Sequence, residues 1–293
     1  KAVHIDHLRN ISLGESICRL MEITGERVLR ANYQGDIGPH VAKCLWAMKK
    51  FGEKTPSERK SAWLASLYVR GNTAAEADEN AKQEIREVNK KIYAHDPAWQ
   101  TLYKETRQWC LDDFQEIYKN WGVKYGRFFF ESEVEEAGKK LAQKLLEQGV
   151  LKKSDGAIIA DFTSEKLNVA VVITGDGTPL YAAKDLALAE LKHREYPKLK
   201  HSLHLVGHEQ ELYFNQLFAI FKRASFALAD KSEHVVYALV RLPEGKMSSR
   251  TGTVVTYYDL MDKLLALATA ETKKRRLEWK EKQLHDVALK VAL

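Results

Sequence analysis

An α/β fold interrupted by a purely helical stretch is predicted by three observations. Short β-branched or aromatic runs alternate with helix-periodic segments before residue 46 and after residue 121. Between Trp46 and Trp121 the apolar residues repeat only at helical spacing. Late in the chain, SLHLVGHEQELYFNQLFAIF reads as strand, glycine and helix, the pattern of a crevice at the end of a parallel sheet.

The elements follow in order. ISLGESICRLMEITG sets Ile17, Leu20, Met21 and Ile23 near one face of a helix that Gly25 can end, and RVLRAN reads as the strand after it. In the helical stretch, Ala81, Ile85, Val88 and Ile92 step by four, three and four, as do Cys110, Phe114, Ile117 and Trp121; Asp96 and Pro97 supply a cap and first turn between the two helices. KYGRFFFES is a strand, Ser132 with Glu135 makes a capping box, and Gly149 closes a helix whose apolar face is Val134, Leu141 and Leu145. GAIIADF and NVAVVIT are β-branched runs divided by polar turns, Thr178 and Pro179 sit at the cap and first turn of another helix, and TVVT is a last strand.

Composition bounds the function. The 293 residues, 45% hydrophobic and 29% charged, suit a soluble globular protein of one large domain or two to three smaller ones. No apolar run reaches the roughly 18 residues of a membrane span, and the first residues lack a signal peptide's apolar stretch, so a cytoplasmic protein is expected. Cys18, Cys44 and Cys110 are far apart and form no CxxC pair, which excludes a disulfide framework or zinc knuckle as the organising element. A net charge of +6 and a pI near 9.0 suit a polyanionic partner or a lysine-rich solvated surface equally well.

Two polar stretches carry the chemistry. HIDHLRN, at residues 4–10, puts two histidines three apart at the start of a helix, which suits a metal, a phosphate or simple packing. No third His, Cys or carboxylate stands at a recognisable ligand spacing, which argues against the metal. KMSSRTG, after the turn at Pro243 to Gly245, can wrap a triphosphate: lysine supplies a compact cation, hydroxyls and backbone N–H groups donate, and glycine permits a tight path. A basic surface loop is the alternative. After Thr178, Tyr181 and Asp185 are four apart on one helix face, and read either as crevice residues or as a core tyrosine beside a solvated aspartate.

Together, HIDH and the KMSSR about 240 residues later resemble the HIGH and KMSKS signatures of class I aminoacyl-tRNA synthetases. HLRN, NYQGDIGPHVAK, YAAKDLALAE, VGHEQELYFNQLF and KMSSRTG resemble, in that order, the blocks of the arginyl-tRNA synthetases, over residues 2 to about 270. The resemblance implies a Rossmann-like, parallel-sheet, nucleotide-binding catalytic domain. Its first half would occupy 1–45, a helical insertion 46–122, the second half with the KMSKS-like loop 123–257, and the start of a helical tRNA- and anticodon-binding region 258–293. It implies ATP-dependent activation of arginine to arginyl-adenylate and transfer to the 3′ end of arginine tRNA, with magnesium carried by ATP, no protein metal site, no membrane partner and a monomeric state. By the same resemblance His4, His7 and Lys246 are catalytic. His4, Asp6, His7, Gly207, His208, Lys246, Met247, Ser248, Ser249 and Arg250 bind ATP; Tyr181, Asp185, Gln210 and Asn32 form the arginine pocket, with Asp36 a further candidate.

The chain departs from the family at several points. Asp6 replaces the HIGH glycine and Ser249 the second KMSKS lysine. The residues that the family uses on the amino acid before HIGH are missing, and its helical region runs past Leu293, so the catalytic core of a longer protein is expected. KKRRLEWKEK, at 273–282, reads as a tRNA contact or a solvated helix. A small-molecule adenylyltransferase of the same fold and a non-catalytic relative binding tRNA or nucleotide are the other readings.

Overall fold

The chain begins with α1 (Ile5–Ile23), which buries only Leu8 and Ile11. The computed structural model describes residues 2–240 and 254–293. They divide into two compact units, one formed by 1–30, 37–125 and 240–293, the other by 31–36 and 126–239. The expected apolar face of α1 is not a core face, since Leu20 is 64% and Ile23 82% exposed. Charge holds this half of the helix instead: Arg30 reaches Glu15 at 2.7 Å and Glu22 at 2.6 Å. Gly25 does end the helix. At φ +91° it lets its own N–H reach the Glu22 carbonyl and the Glu26 N–H reach that of Met21, both at 3.0 Å.

Four helices complete this part of the first unit: α2 (Pro39–Phe51), α3 (Lys60–Ala77), α4 (Glu79–Tyr93) and α5 (Pro97–Asn120). The α4 stripe of Ala81, Ile85, Val88 and Ile92 is wholly buried, in one cluster with Leu45, Trp46, Leu64 and Leu67. Asp96 caps α5 by accepting from the Ala98 N–H at 2.9 Å, with Pro97 in the first turn. Of the α5 stripe Ile117 is fully buried, and Trp121 falls just past the helix end.

The second unit carries the strands. β1 (Ala31–Gln34) pairs in parallel with β2 (Arg127–Phe130), Ala31 opposite Arg127. The strand expected over 27–32 therefore begins four residues late, where its partner begins. α6 (Glu131–Glu147) follows and buries Val134, Leu141 and Leu145. Its start differs from the predicted capping box: Ser132 lies inside the first turn, where its N–H and Oγ donate to Asp36 at 3.0 and 2.7 Å, while Glu135 is buried and pairs with Lys139 at 3.2 Å.

The two β-branched runs become β4 (Ala157–Phe162) and β5 (Asn168–Ile173), which form an antiparallel sheet with the short β3 (Lys152–Ser154) in the order β3-β4-β5. α7 (Tyr181–Glu195) starts later than Thr178 and Pro179 predict. Those residues prolong the extended chain, since Pro179 pairs with Ile173 and the Leu180 N–H donates to the Val172 carbonyl at 3.0 Å. β6 (Ser202–Gly207) leads through a 3₁₀ turn at His208–Gln210 into α8 (Glu211–Arg223), and pairs in parallel with β7 (Ser232–Tyr237). Phe129, Phe162, Leu186, Leu217 and Phe221 are the best-buried large side chains of this core.

The chain then returns to the first unit in α9 (Tyr257–Arg275) and α10 (Glu281–Ala292), which pack on each other. Thr256 and Asp259 cap α9 reciprocally, at 3.1 and 3.0 Å. Of the expected TVVT strand Thr253 lies outside the described residues, and among the described residues the rest makes one strand-like pairing, Thr256 with His4. Among the described residues no helix is long and apolar enough to cross a membrane.

α6 and α7 approach each other closely, since a Cβ at Gly138 would lie 2.5 Å from the Ala183 carbonyl oxygen and 2.8 Å from its carbon. Gly138→Ala is expected to cost about 2 kcal/mol, as overpacking against backbone does. Urea unfolding measures it, and a loss below about 0.5 kcal/mol would show that α6 and α7 separate easily.

Candidate active site

In the first unit the site is built at the head of α1. His4 is extended, at φ −131° and ψ 174°, and its backbone N–H donates to Nδ1 of His7 at 3.2 Å. That bond leaves the proton of a neutral His7 ring on Nε2, which makes this nitrogen a donor. The two rings lie 3.8 Å apart, and the first backbone N–H groups of the helix add their partial positive charge. This end of the chain is fastened to residues far along the sequence. The Tyr257 N–H donates to the Val3 carbonyl at 2.8 Å and the Ile5 N–H to that of Val255 at 3.1 Å; the Val240 N–H donates to Oδ1 of Asp6 at 2.9 Å. HIDH is thus bonded to the residues on both flanks of 241–253. Lys246, Met247, Ser248, Ser249 and Arg250 themselves lie outside the described residues.

In the second unit a carboxylate is set deep beside tyrosines. Asp185, one turn into α7, is largely buried, whereas Tyr181, at the helix start, is 63% exposed. This inverts the core-tyrosine, solvated-aspartate alternative. Tyr213 of α8 donates from its hydroxyl to Oδ2 of Asp185, and the Tyr33 phenol of β1 lies close enough to feel this carboxylate. Removal from water pushes the Asp185 carboxyl up to about 6, against the opposing pull of the Tyr213 bond. Nearby, the Lys184 ammonium meets Glu131 at 2.7 Å, both side chains buried; burial pushes the Glu131 carboxyl upward even so. Burial raises the Tyr33 phenol, and the carboxylates of Asp185, Glu131 and Asp36 add to the effect. Lys184 is committed to Glu131 and Lys192 acts on Asp185 through space, so with Glu131 and Asp36 nearby the group of carboxylates suits a cationic ligand.

The predicted residues are placed unevenly. Tyr181 and Asp185 share the first turns of α7, and Gln210 ends the turn that leads into α8, three residues before Tyr213. Gly207 is buried at the end of β6 and His208 exposed just after it, its Nδ1 3.6 Å from Glu209. Asn32 lies on the opposite face of β1 from Tyr33 and accepts from Gln34 at 2.5 Å. Asp36 receives Ser132. Sequence reasoning missed Tyr33 and Tyr213, whose neighbours in NYQGD and QELYF signal nothing beyond a strand and a helix. Among the described residues no cluster of three His, Cys, Asp or Glu could hold a metal ion.

The backbone ties bring HIDH to the flanks of the KMSSR stretch, and the fold is that of a class I catalytic domain. The sequence model of the family described as tRNA synthetases class I (R), catalytic domain, matches residues 1–292, and the chain belongs to that family. It is 33% identical over 301 residues to the arginine–tRNA ligase of Bdellovibrio bacteriovorus, taking in 100% of this chain and 52% of that protein. To the arginine–tRNA ligase of Treponema denticola it is 35% identical over 303 residues, 99% of this chain and 50% of the other. The chain thus spans about half the length of the curated relatives it matches. In structure it is similar to the Thermus thermophilus arginyl-tRNA synthetase, with a TM-score of 0.75 at 21% identity over 100% of this chain and 54% of that one. The Plasmodium falciparum arginyl-tRNA synthetase gives 0.73 at 20% identity, over 100% and 48%. The shared fold is a mixture of helices and parallel strands.

Proposed function

We propose that the chain is the catalytic core of an arginine–tRNA ligase. The arginine carboxylate attacks the α-phosphorus of ATP, pyrophosphate leaves, and the arginyl group of the adenylate passes to the terminal adenosine of the tRNA. The observation that carries the reading is Asp185, a largely buried carboxylate bonded by Tyr213 and one helical turn from Tyr181, a tyrosine that stays accessible. A planar guanidinium can pair with such a carboxylate through two parallel hydrogen bonds, which an ammonium cannot reproduce. His4 and His7 donate to the ATP phosphates, aided by the α1 N-terminus. Gly207 and His208 take the adenosine side, and Gln210 joins Tyr181 and Asp185 on arginine. Lys246, with Met247, Ser248, Ser249 and Arg250, holds the departing pyrophosphate, and magnesium comes as the counterion of ATP. α9 and α10 begin a tRNA-binding region, and the protein works in the cytoplasm as a monomer.

ATP–pyrophosphate exchange with each amino acid, with and without arginine tRNA, tests this. Exchange that is specific for arginine and needs the tRNA is expected. Exchange with a different small molecule and no tRNA would make the chain an adenylyltransferase of another kind. Lys246→Ala is expected to lower the exchange rate roughly 100-fold, the usual loss for one preorganised charge-stabilising donor; a change within about twofold would return KMSSR to a surface role. Asp185→Asn keeps size but removes charge, so arginine binding should weaken while ATP affinity holds. Equal weakening of both ligands would point to misfolding.

Asp6, in place of the HIGH glycine, favours a second reading: a relative that binds tRNA or nucleotide without activating arginine. A carboxylate about 5 Å from a phosphate charge costs on the order of 3 kcal/mol at an effective dielectric near 20, or about a hundredfold in affinity before magnesium screens it. Asp6→Asn keeps an oxygen for the Val240 N–H and removes only the charge. ATP titrated by calorimetry should bind this variant more tightly, and unchanged or weaker binding would mean that the Asp6 charge does not face the nucleotide.

A further inference from the structure

We infer that Tyr213, supported by the nearby Tyr33 phenol, is a positioning residue for arginine: the Tyr213 hydroxyl holds Asp185 in the orientation and charge state that a guanidinium requires. This rests on the reading of Asp185 as the arginine site. Neither tyrosine is otherwise assigned a role.

The geometry is specific. The Tyr213 hydroxyl donates to one oxygen, Oδ2 of Asp185. A carboxylate has about four acceptor positions, so this bond still leaves room for a paired guanidinium. The charged groups facing Asp185 do not replace this donor. Glu131 of α6 repels it, Lys184 of α7 is committed to Glu131 at 2.7 Å, and Lys192 acts on it through space. Tyr213 is itself held firmly: its ring meets Phe214 edge-on at 5.4 Å, and Phe214 stacks on His234 of β7 at 4.4 Å.

The bond also decides protonation. Burial drives the carboxyl up to about 6, and the Tyr213 bond is the largest influence against that. A protonated Asp185 offers no charge to a guanidinium. Since this carboxyl is raised, arginine affinity is full above its pKa and falls as pH drops through it.

Arginine binding by calorimetry from about pH 5 to 8.5, with ATP titrated as a control, tests the inference on the purified protein, Asp185→Asn, Tyr213→Phe and Tyr33→Phe. The parent's affinity should break near the Asp185 value of about 6. Tyr213→Phe should move the break upward by about one pH unit and weaken arginine about tenfold at pH 7, with ATP affinity within about twofold. Tyr33→Phe should shift the break in the same direction, which keeps the inference open to refutation if Tyr213→Phe fails to fold. If Asp185→Asn weakens arginine while the folded phenylalanine variants leave the break in place, the inference is overturned even where affinity drops, because loss of packing alone does not move a titration. If Asp185→Asn leaves arginine binding intact, the reading of the site fails instead.

Discussion

The backbone tie between Val3–Asp6 and the residues flanking 241–253 is the constraint on which the first unit depends. It joins segments at opposite ends of the chain through Tyr257 to Val3, Ile5 to Val255 and Val240 to Asp6, at 2.8, 3.1 and 2.9 Å. Closing a flexible chain of that length costs about 5 kcal/mol, whereas three hydrogen bonds return about 3 net. Hydrogen bonding alone therefore does not secure it. Ala2, Val3, Leu8, Ile11, Tyr257 and Met261 are all buried, and at about 1.5 to 3 kcal/mol for each large apolar side chain their burial outweighs the difference. The bonds then set register: His4 faces Thr256, and the head of α1 takes a fixed place between Val240 and Val255. Apolar burial supplies the stability, and directional bonds convert it into a position for the two histidines.

This division between burial and direction explains what was legible in the sequence. The α4 stripe was read correctly because burial alone dictates a 3.6-residue period, and the Asp96–Pro97 start because a cap is local. The apolar residues of α1 misled. Leu20 and Ile23 have the right spacing, but Arg30, bonded to Glu15 and Glu22, holds that half of the helix by charge. The starts of β1, α6 and α7 were misplaced for a related reason, since each is set by a partner distant in sequence or by a turn. β1 waits for β2, Ser132 turns to Asp36, and Pro179 is drawn into a pairing with Ile173.

The candidate site divides in the same way. Tyr181 and Asp185 were visible as a pair because four residues make one helical turn. Tyr213 was not, because its partner lies 28 residues away on another helix, and a tyrosine beside Phe214 reads as packing. In the sequence Asp6 is visible only as a replacement for the HIGH glycine. Its bond to Val240, 234 residues away, gives the side chain a second role that no motif comparison exposes.

The second unit solves a harder problem, that of keeping a carboxylate both out of water and charged. Desolvation opposes the anion, and the simplest remedy, a lysine in direct contact, would neutralise the charge that a cationic ligand needs. The fold supplies a lysine at the next residue, Lys184, yet gives it to Glu131 at the head of α6. A buried ion pair of this kind is close to neutral in net stability, so what it contributes is position: it fastens α6 to α7, the helices that approach each other closely at Gly138. Asp185 is then stabilised by the Tyr213 phenol, which favours the ionised form without cancelling its charge, and through space by Lys192. A neutral donor at the anion, one lysine assigned to Glu131 and another that acts through space leave Asp185 a charge that a guanidinium can pair with directly.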